Sequence, residues 1–225
     1  MLELNKIYCG DCLDLMREMP DKSVDLVLTD PPYGIKRDKG FEGFGGFGGF
    51  GAPIARRRYE GDNWDNERPS KVFFQEMIRV SKNQIIFGGN FFTDILPQGN
   101  HWIVWDKKNT MPTFGDCELA WTSIPRNSVK LFTLQYNGLI GKESERFHPT
   151  QKPLKLMQWC LEKYTGEGMT VLDPFMGSGT TCVACKKLGR NFIGIEKEPA
   201  YVEIALKRLE KVNNHKITDY FGVGD

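Results

Sequence analysis

Two short segments of the chain combine residue types that can do chemistry. In Asp30-Pro31-Pro32-Tyr33 neither proline has an N–H, so a preceding strand must stop pairing there and its carbonyls are left for other donors. An Asp side chain beside a rigid backbone carbonyl offers two acceptors to one NH₂ group, and the following Tyr offers a flat face to an aromatic ring. That combination suits the exocyclic amine of a nucleobase. Hydrogen bonds to both amine protons draw the nitrogen lone pair out of ring conjugation and make the nitrogen a usable nucleophile.

The second segment is Asp173-Pro174-Phe175-Met176-Gly177-Ser178-Gly179-Thr180-Thr181. It has the composition of a turn between a strand and a helix, where backbone N–H groups can cradle a ligand. No Lys follows the glycines in phosphate-loop spacing, and Cys182 stands where a dinucleotide fingerprint has its third glycine. Asp173 would repel a pyrophosphate but favour an ammonium group. Seventeen residues after Gly179, Glu196 closes the segment Gly194-Ile195-Glu196, in place to accept from ribose hydroxyls. An adenosine carrying an amino acid meets both conditions, and S-adenosylmethionine is such a molecule.

The elements that must hold these segments can be read from hydrophobic spacing. Strands are expected over Lys6 to Cys9, Val24 to Thr29, Gln84 to Gly88, Met169 to Leu172 and Asn191 to Ile195. Three more are expected over His101 to Trp105, Glu118 to Thr122 and Val129 to Thr133, with local antiparallel pairing. Helices are expected around Leu13, Met16 and Met19, over Pro69 to Val80, over Pro153 to Tyr164, from Thr180 to Leu188, and along the stripe Tyr201, Ala205, Leu209, Val212. Alternating units of this kind predict an α/β fold with a mainly parallel sheet and helices on both faces. Ligands of such sheets sit beyond the carboxyl ends of the strands, where both chemical segments lie.

Length and composition agree with one domain. The chain has 225 residues, 40% hydrophobic and 26% charged, enough to bury one core and too apolar for a disordered chain. No apolar run could cross a bilayer and the N-terminus lacks the zones of a signal peptide, which makes the cytoplasm the expected location, with no membrane partner. Thirty Lys+Arg against 29 Asp+Glu leave a net charge of +1, so a polyanion must be met by a local patch. The stretch 34–63 holds one, with Lys36, Arg37, Arg56, Arg57 and Arg58 flanking a Gly/Phe repeat that reads as a long mobile loop able to contact phosphates. Two C-x-x-C pairs, Cys9/Cys12 and Cys182/Cys185, fall where helix packing explains them better than zinc does, and no metal is expected.

The segments Thr29-Asp30-Pro31-Pro32-Tyr33, His148-Pro149-Thr150-Gln151-Lys152-Pro153 and Asp173 to Thr180, in that order, resemble the amino-type DNA methyltransferases of the permuted β class. The resemblance runs from about Ile7 to Leu209. It implies a Rossmann-like seven-stranded sheet of circularly permuted topology, S-adenosylmethionine at the second turn, and a base flipped out of DNA at the first. Carried over, Asp30 and the Pro31 carbonyl hold the target amine, Pro32 stiffens the turn and Tyr33 stacks on the base. Asp173, Phe175, Gly177, Ser178, Gly179 and Thr180 surround the cofactor, Glu196 binds its ribose, Asp11 faces its adenine amine, and Thr150, Gln151 and Lys152 lie near its methionyl end.

In this family Asp at the position of Asp30 usually accompanies N6-adenine methylation, whereas Ser more often accompanies N4-cytosine. The expected activity is therefore methylation of adenine in DNA, with N4-cytosine methylation the alternative and a non-catalytic nucleic-acid binder of the same fold a further one. No separate recognition domain is visible, so the loop 34–63 and the candidate target-recognition segment 107–146 are what is available to read the DNA. The resemblance also raises a homodimer and a companion restriction endonuclease as partners.

Overall fold

The computed structural model describes residues 2–35, 65, 67–108, 115–135 and 151–212. In chain order the elements are β1 (Lys6–Cys9), α1 (Cys12–Arg17), β2 (Val24–Thr29), α2 (Lys71–Val80), β3 (Ser81–Phe87), β4 (His101–Asp106), β5 (Cys117–Thr122) and β6 (Val129–Thr133). They continue with α3 (Leu154–Tyr164), β7 (Thr170–Asp173), α4 (Thr180–Lys187), β8 (Asn191–Glu196) and α5 (Pro199–Glu210). The strands form one sheet in the order β1-β8-β7-β2-β3-β5-β4-β6. Among the described residues the sheet therefore has eight strands, one more than the resemblance implies. No helix among them is long and apolar enough to cross a membrane.

The sheet is parallel except for β5, which runs antiparallel to both β3 and β4. The expected antiparallel pairing holds for β4 with β5, but β6 pairs parallel with β4. The reason is which edge is free. Both edges of β5 are taken, so after the short reversal at 123–128 the chain can add only at the open edge of β4, where the reversed direction is parallel.

Burial follows from the sequence pattern. β2 and β7 are buried along nearly their whole length, as strands covered on both faces must be. One core, with Leu26, Leu28, Ile85, Leu156, Met157 and Leu161, lies under α3, α4 and α5. The other, with Met16, Val27, Phe74, Met77, Ile86 and Leu172, lies under α1 and α2. Residues Thr180 to Cys185 of α4 are all buried, so Cys182 and Cys185 are packing residues whose thiols burial pushes up.

This topology decides where the site must be. β7 and β8, from the end of the chain, insert between β1 and β2, and the register places Leu26 beside Val171 and Val27 beside Leu172. The strand before Asp30 and the strand before the glycine turn are thus immediate parallel neighbours. From this pair the sheet grows through β3 on one side and β8 on the other, and a crevice opens beyond their carboxyl ends.

Candidate active site

At the last residues of those two strands, Thr29 Oγ1 donates to Asp173 Oδ1 at 2.7 Å. Both residues are buried, and Phe175 N donates to the same Asp173 oxygen at 3.2 Å. Burial pushes the Asp173 carboxyl up to about 6, against the pull of its hydrogen bonds.

Asp30 is the centre of the first half. Its Oδ1 accepts from the Tyr33 hydroxyl at 2.5 Å and its Oδ2 accepts from Lys152 Nζ at 2.5 Å. The same ammonium lies 3.3 Å from the Tyr33 hydroxyl and 3.1 Å from Glu118 Oε2, and the other Glu118 oxygen pairs with Lys107. Burial, together with Glu118, raises the Asp30 pKa above the usual carboxylate range in spite of Lys152. Burial also opposes ionisation of Glu118, but Lys152 and Lys107 outweigh it and pull that pKa down to about 2. Lys152, although buried, is held charged by Asp30 and Glu118.

Tyr33 is confined from three sides. Its N–H and that of Gly34 donate to Asp65 Oδ1 at 2.8 and 2.9 Å, which locks the turn after the prolines. Gly88, with φ +66°, brings its backbone so close that a Cβ there would lie 2.1 Å from the Tyr33 ring. Phe91 stacks on that ring with 4.7 Å between centroids and 17° between planes.

The second half begins at the glycine turn. Gly177 and Gly179 have φ of +51° and +79°, and a Cβ on Gly179 would meet Ala205 Cβ of α5 at 2.7 Å. Glu196 Oε2 accepts from Gly177 N at 2.9 Å and its Oε1 accepts from Glu198 N at 3.0 Å. Arg208 of α5 clamps the turn from behind, donating to Ser178 O at 2.6 Å and to Thr180 Oγ1 at 3.1 Å. Ser178 Oγ in turn donates to Gln151 Oε1 at 3.1 Å. Asp11 caps α1 by accepting from Leu13 N at 2.7 Å. It lies close enough, with Glu196 and Asp173, that their charges join burial in pushing the Cys12 thiol up to about 12.

Asp11, Glu196 and Asp173 are therefore three carboxylates at the ends of the adjacent strands β1, β8 and β7, around a turn without side chains at 177 and 179. Such a cradle disfavours phosphate and fits a ligand with positive charge and ribose hydroxyls. The residues present thus fit S-adenosylmethionine, which carries a sulfonium and an ammonium against one carboxylate.

The structure brings together Asp30, Pro31, Pro32 and Tyr33 on one side and Asp173, Phe175, Gly177, Ser178, Gly179, Thr180 and Glu196 on the other. The neighbours Gln151 and Lys152 divide between them. Gln151 reaches the glycine turn, whereas Lys152, expected at the methionyl end of the cofactor, has its ammonium on Asp30 and Glu118. Thr150, His148, Lys36, Arg37, Arg56, Arg57 and Arg58 lie outside the described residues. Sequence reasoning missed Glu118, Lys107, Asp65, Phe91 and Arg208. Of these only Glu118 carried a signal, as an acidic residue in an otherwise apolar strand run.

Comparison with known proteins bears on the fold and the class of protein. The family of DNA methylases of the N6/N4 class matches residues 120–207, a segment that contains Gln151, Lys152 and the glycine turn but not Asp30 to Tyr33. The Type II methyltransferase M.HinfI of Haemophilus influenzae is 28% identical over 258 aligned residues, 93% of this chain and 69% of that protein. M2.MboI of Moraxella bovis is 29% identical over 245, covering 92% and 88%. The crystal structure of M1.HpyAVI in complex with S-adenosylmethionine superposes with a TM-score of 0.58 at 25% identity, over 91% of this chain and 98% of that one. The cytosine-N4-specific PvuII DNA methyltransferase shares the fold, with a TM-score of 0.58 at 18% identity, over 94% of this chain and 87% of that one.

Fold and site together define an enzyme that uses S-adenosylmethionine as methyl donor. By these matches, the chain is similar to the DNA methyltransferases of the N6/N4 class.

The tight fit of Gly179 generates a stability prediction. Gly179→Ala forces a side chain into a left-handed backbone and against Ala205, and should lower the unfolding free energy by about 2 kcal/mol in urea denaturation. Ala205→Gly should cost about 1 kcal/mol less in that background than in the wild type, because it removes the steric part. An unchanged urea midpoint for the single variant would contradict the assigned packing.

Proposed function

We propose that this chain transfers the methyl group of S-adenosylmethionine to the exocyclic N6 amine of adenine in DNA, acting on a base flipped into the crevice between β2 and β7. The observation that supports this most directly is the contact between Thr29 and Asp173, which sets the amine acceptor Asp30 beside the cofactor carboxylate Asp173. Bound S-adenosylmethionine supplies an electrophilic methyl carbon on a sulfonium, which leaves as a neutral thioether.

The chain's own task is then alignment and polarisation of the amine. Asp30 accepts one amine proton and the Pro31 carbonyl the other, which frees the nitrogen lone pair to attack the methyl carbon. The nitrogen becomes cationic as the new bond forms and passes one proton to Asp30, whose raised pKa makes it a better acceptor than an exposed carboxylate. Tyr33 holds Asp30 through its hydroxyl and offers its ring edge or face to the base. On the cofactor side Asp173 takes the ammonium, Glu196 the ribose hydroxyls and Asp11 the adenine amine, while Phe175, Ser178, Thr180, Gln151 and Thr150 complete the wall. Lys36, Arg37, Arg56, Arg57 and Arg58 are proposed to meet the DNA backbone.

Adenine rather than cytosine is favoured by the family pattern at Asp30. Digesting methylated DNA to nucleosides after transfer from tritiated S-adenosylmethionine tests it, with label expected in N6-methyldeoxyadenosine. Label in N4-methyldeoxycytidine would assign the other amine, and cofactor binding without transfer to any unmethylated DNA would leave only a binder.

Two further outcomes follow from the site. Asp30→Asn should lower the rate of transfer to unmethylated genomic DNA by about 10²- to 10³-fold while the Kd for S-adenosylmethionine stays within about threefold. The affinity for S-adenosylmethionine should fall with acidity, because the ammonium is held by ionised Asp173, whose pKa is about 6. The sign is that of a carboxylate partner: binding is full above pH 7 and is lost as the pH drops through 6. Titration calorimetry should show about tenfold weaker binding at pH 5 than at pH 8. A pH-independent Kd would remove Asp173 from the ammonium site.

A further inference from the structure

Both oxygens of the acceptor Asp30 are already engaged. A target amine must reach an oxygen of Asp30, yet Oδ1 is taken by the Tyr33 hydroxyl and Oδ2 by the Lys152 ammonium, each at 2.5 Å. Each oxygen can accept a second bond, but a cation on the same carboxylate repels the charge that the amine nitrogen gains, so one of the two donors must give way during transfer. Tyr33 cannot swing away without colliding with the backbone at Gly88 or breaking its stack on Phe91, and its own N–H is tied to Asp65. Lys152 differs in two respects: its stem is long and flexible, and a second anion, Glu118 Oε2, already lies 3.1 Å from the same ammonium.

We infer that Lys152 is a placeholder for the target amine and that Glu118 is the positioning residue that receives its ammonium when the base enters. This rests on the methyl-transfer reading above. Two needs are met by one cation. Without a base present, a part-buried Asp30 left with the Tyr33 hydroxyl alone would take up a proton more readily and accept less well; the ammonium beside it favours the ionised form. During transfer the amine nitrogen gains positive charge, which an ammonium still seated on Asp30 would oppose. Moving that ammonium onto Glu118 gives Asp30 its full negative field at the moment it is needed. Glu118 can accept it because it is fixed in β5 and steadied on its other oxygen by Lys107. The groups facing Asp30 are then Tyr33 from its own turn, Lys152 from the segment before α3, and Glu118 from β5 with Lys107 behind it. Asp173 of β7 stands beyond Thr29.

The experiment compares single-turnover transfer from tritiated S-adenosylmethionine to saturating unmethylated genomic DNA between pH 5 and pH 9.5, for the wild type and three variants. Lys152→Met should leave Asp30 uncompensated, so that its rate falls at least about tenfold at neutral pH and recovers at alkaline pH, with the acid limb moved up by about one pH unit or more. Glu118→Gln keeps Lys152 on Asp30 with nowhere else to go, so its rate should fall about tenfold at every pH, with the acid limb not moved upward. Glu118→Asp keeps the charge and should retain about a third of the wild-type rate or more. A purely structural role would lower all three rates without separating their pH profiles. An acid limb of Lys152→Met that matches the wild type, or a Glu118→Gln enzyme as fast as the wild type, overturns the inference, and either variant alone suffices if the other does not fold. A wild-type chain that methylates no DNA would instead overturn the proposed function and this inference with it.

Discussion

The hydrogen bond from Thr29 to Asp173 is the contact on which the site depends. These residues are far apart along the chain, and their meeting requires that β7 insert directly beside β2 in parallel register. Every other feature of the crevice follows from that adjacency. The prolines after Thr29 end the ladder on one side, the glycines after Asp173 open the chain on the other, and the two turns are left facing the same space. Burying a carboxylate here is costly, and the Thr29 hydroxyl with the Phe175 N–H supplies the hydrogen bonds that make it tolerable.

Charge is arranged differently in the two halves. Around the glycine turn Asp11, Asp173 and Glu196 form an anionic cradle with no basic side chain bonded to their carboxylates by any described contact, as a cationic donor requires. Around Asp30 the charges alternate instead, Asp30 with Lys152, Lys152 with Glu118, and Glu118 with Lys107. Such a part-buried chain, with Lys152 buried in it, depends on each member keeping a partner of opposite sign. It therefore rearranges most easily by moving the one member with two partners on the same atom, which is the Lys152 ammonium.

Much of this was legible in the sequence because motif and strand end coincide. Asp30 to Tyr33 and Asp173 to Thr180 each follow an apolar run that can only be a buried strand, and the residue chemistry of each turn is local. What was illegible depends on partners brought by other strands. Glu118 and Lys107 sit in or beside strands without a flanking motif, and their meaning arises only when the sheet carries Lys107 to Glu118 and Glu118 to Lys152. The fold-back of Tyr33 onto Asp30 depends on Gly88 and Phe91 beyond β3. The parallel addition of β6 depends on which sheet edge remains open, which no local spacing encodes. Basic residues of 34–63, legible as a patch, lie beyond residue 35 and outside the described residues.

A crystal structure of the protein with sinefungin, in which an amine-bearing carbon replaces the methyl-bearing sulfonium, would measure the separation between the donor position and the amine acceptor. Reacting atoms must come within about 3.5 Å, so the amine of sinefungin should lie within about 6 Å of the Asp30 carboxylate, on the open side of the Thr29–Asp173 contact. Sinefungin seated elsewhere, or separated from Asp30 by more than about 10 Å with the sheet unchanged, would contradict a single crevice shared by donor and acceptor.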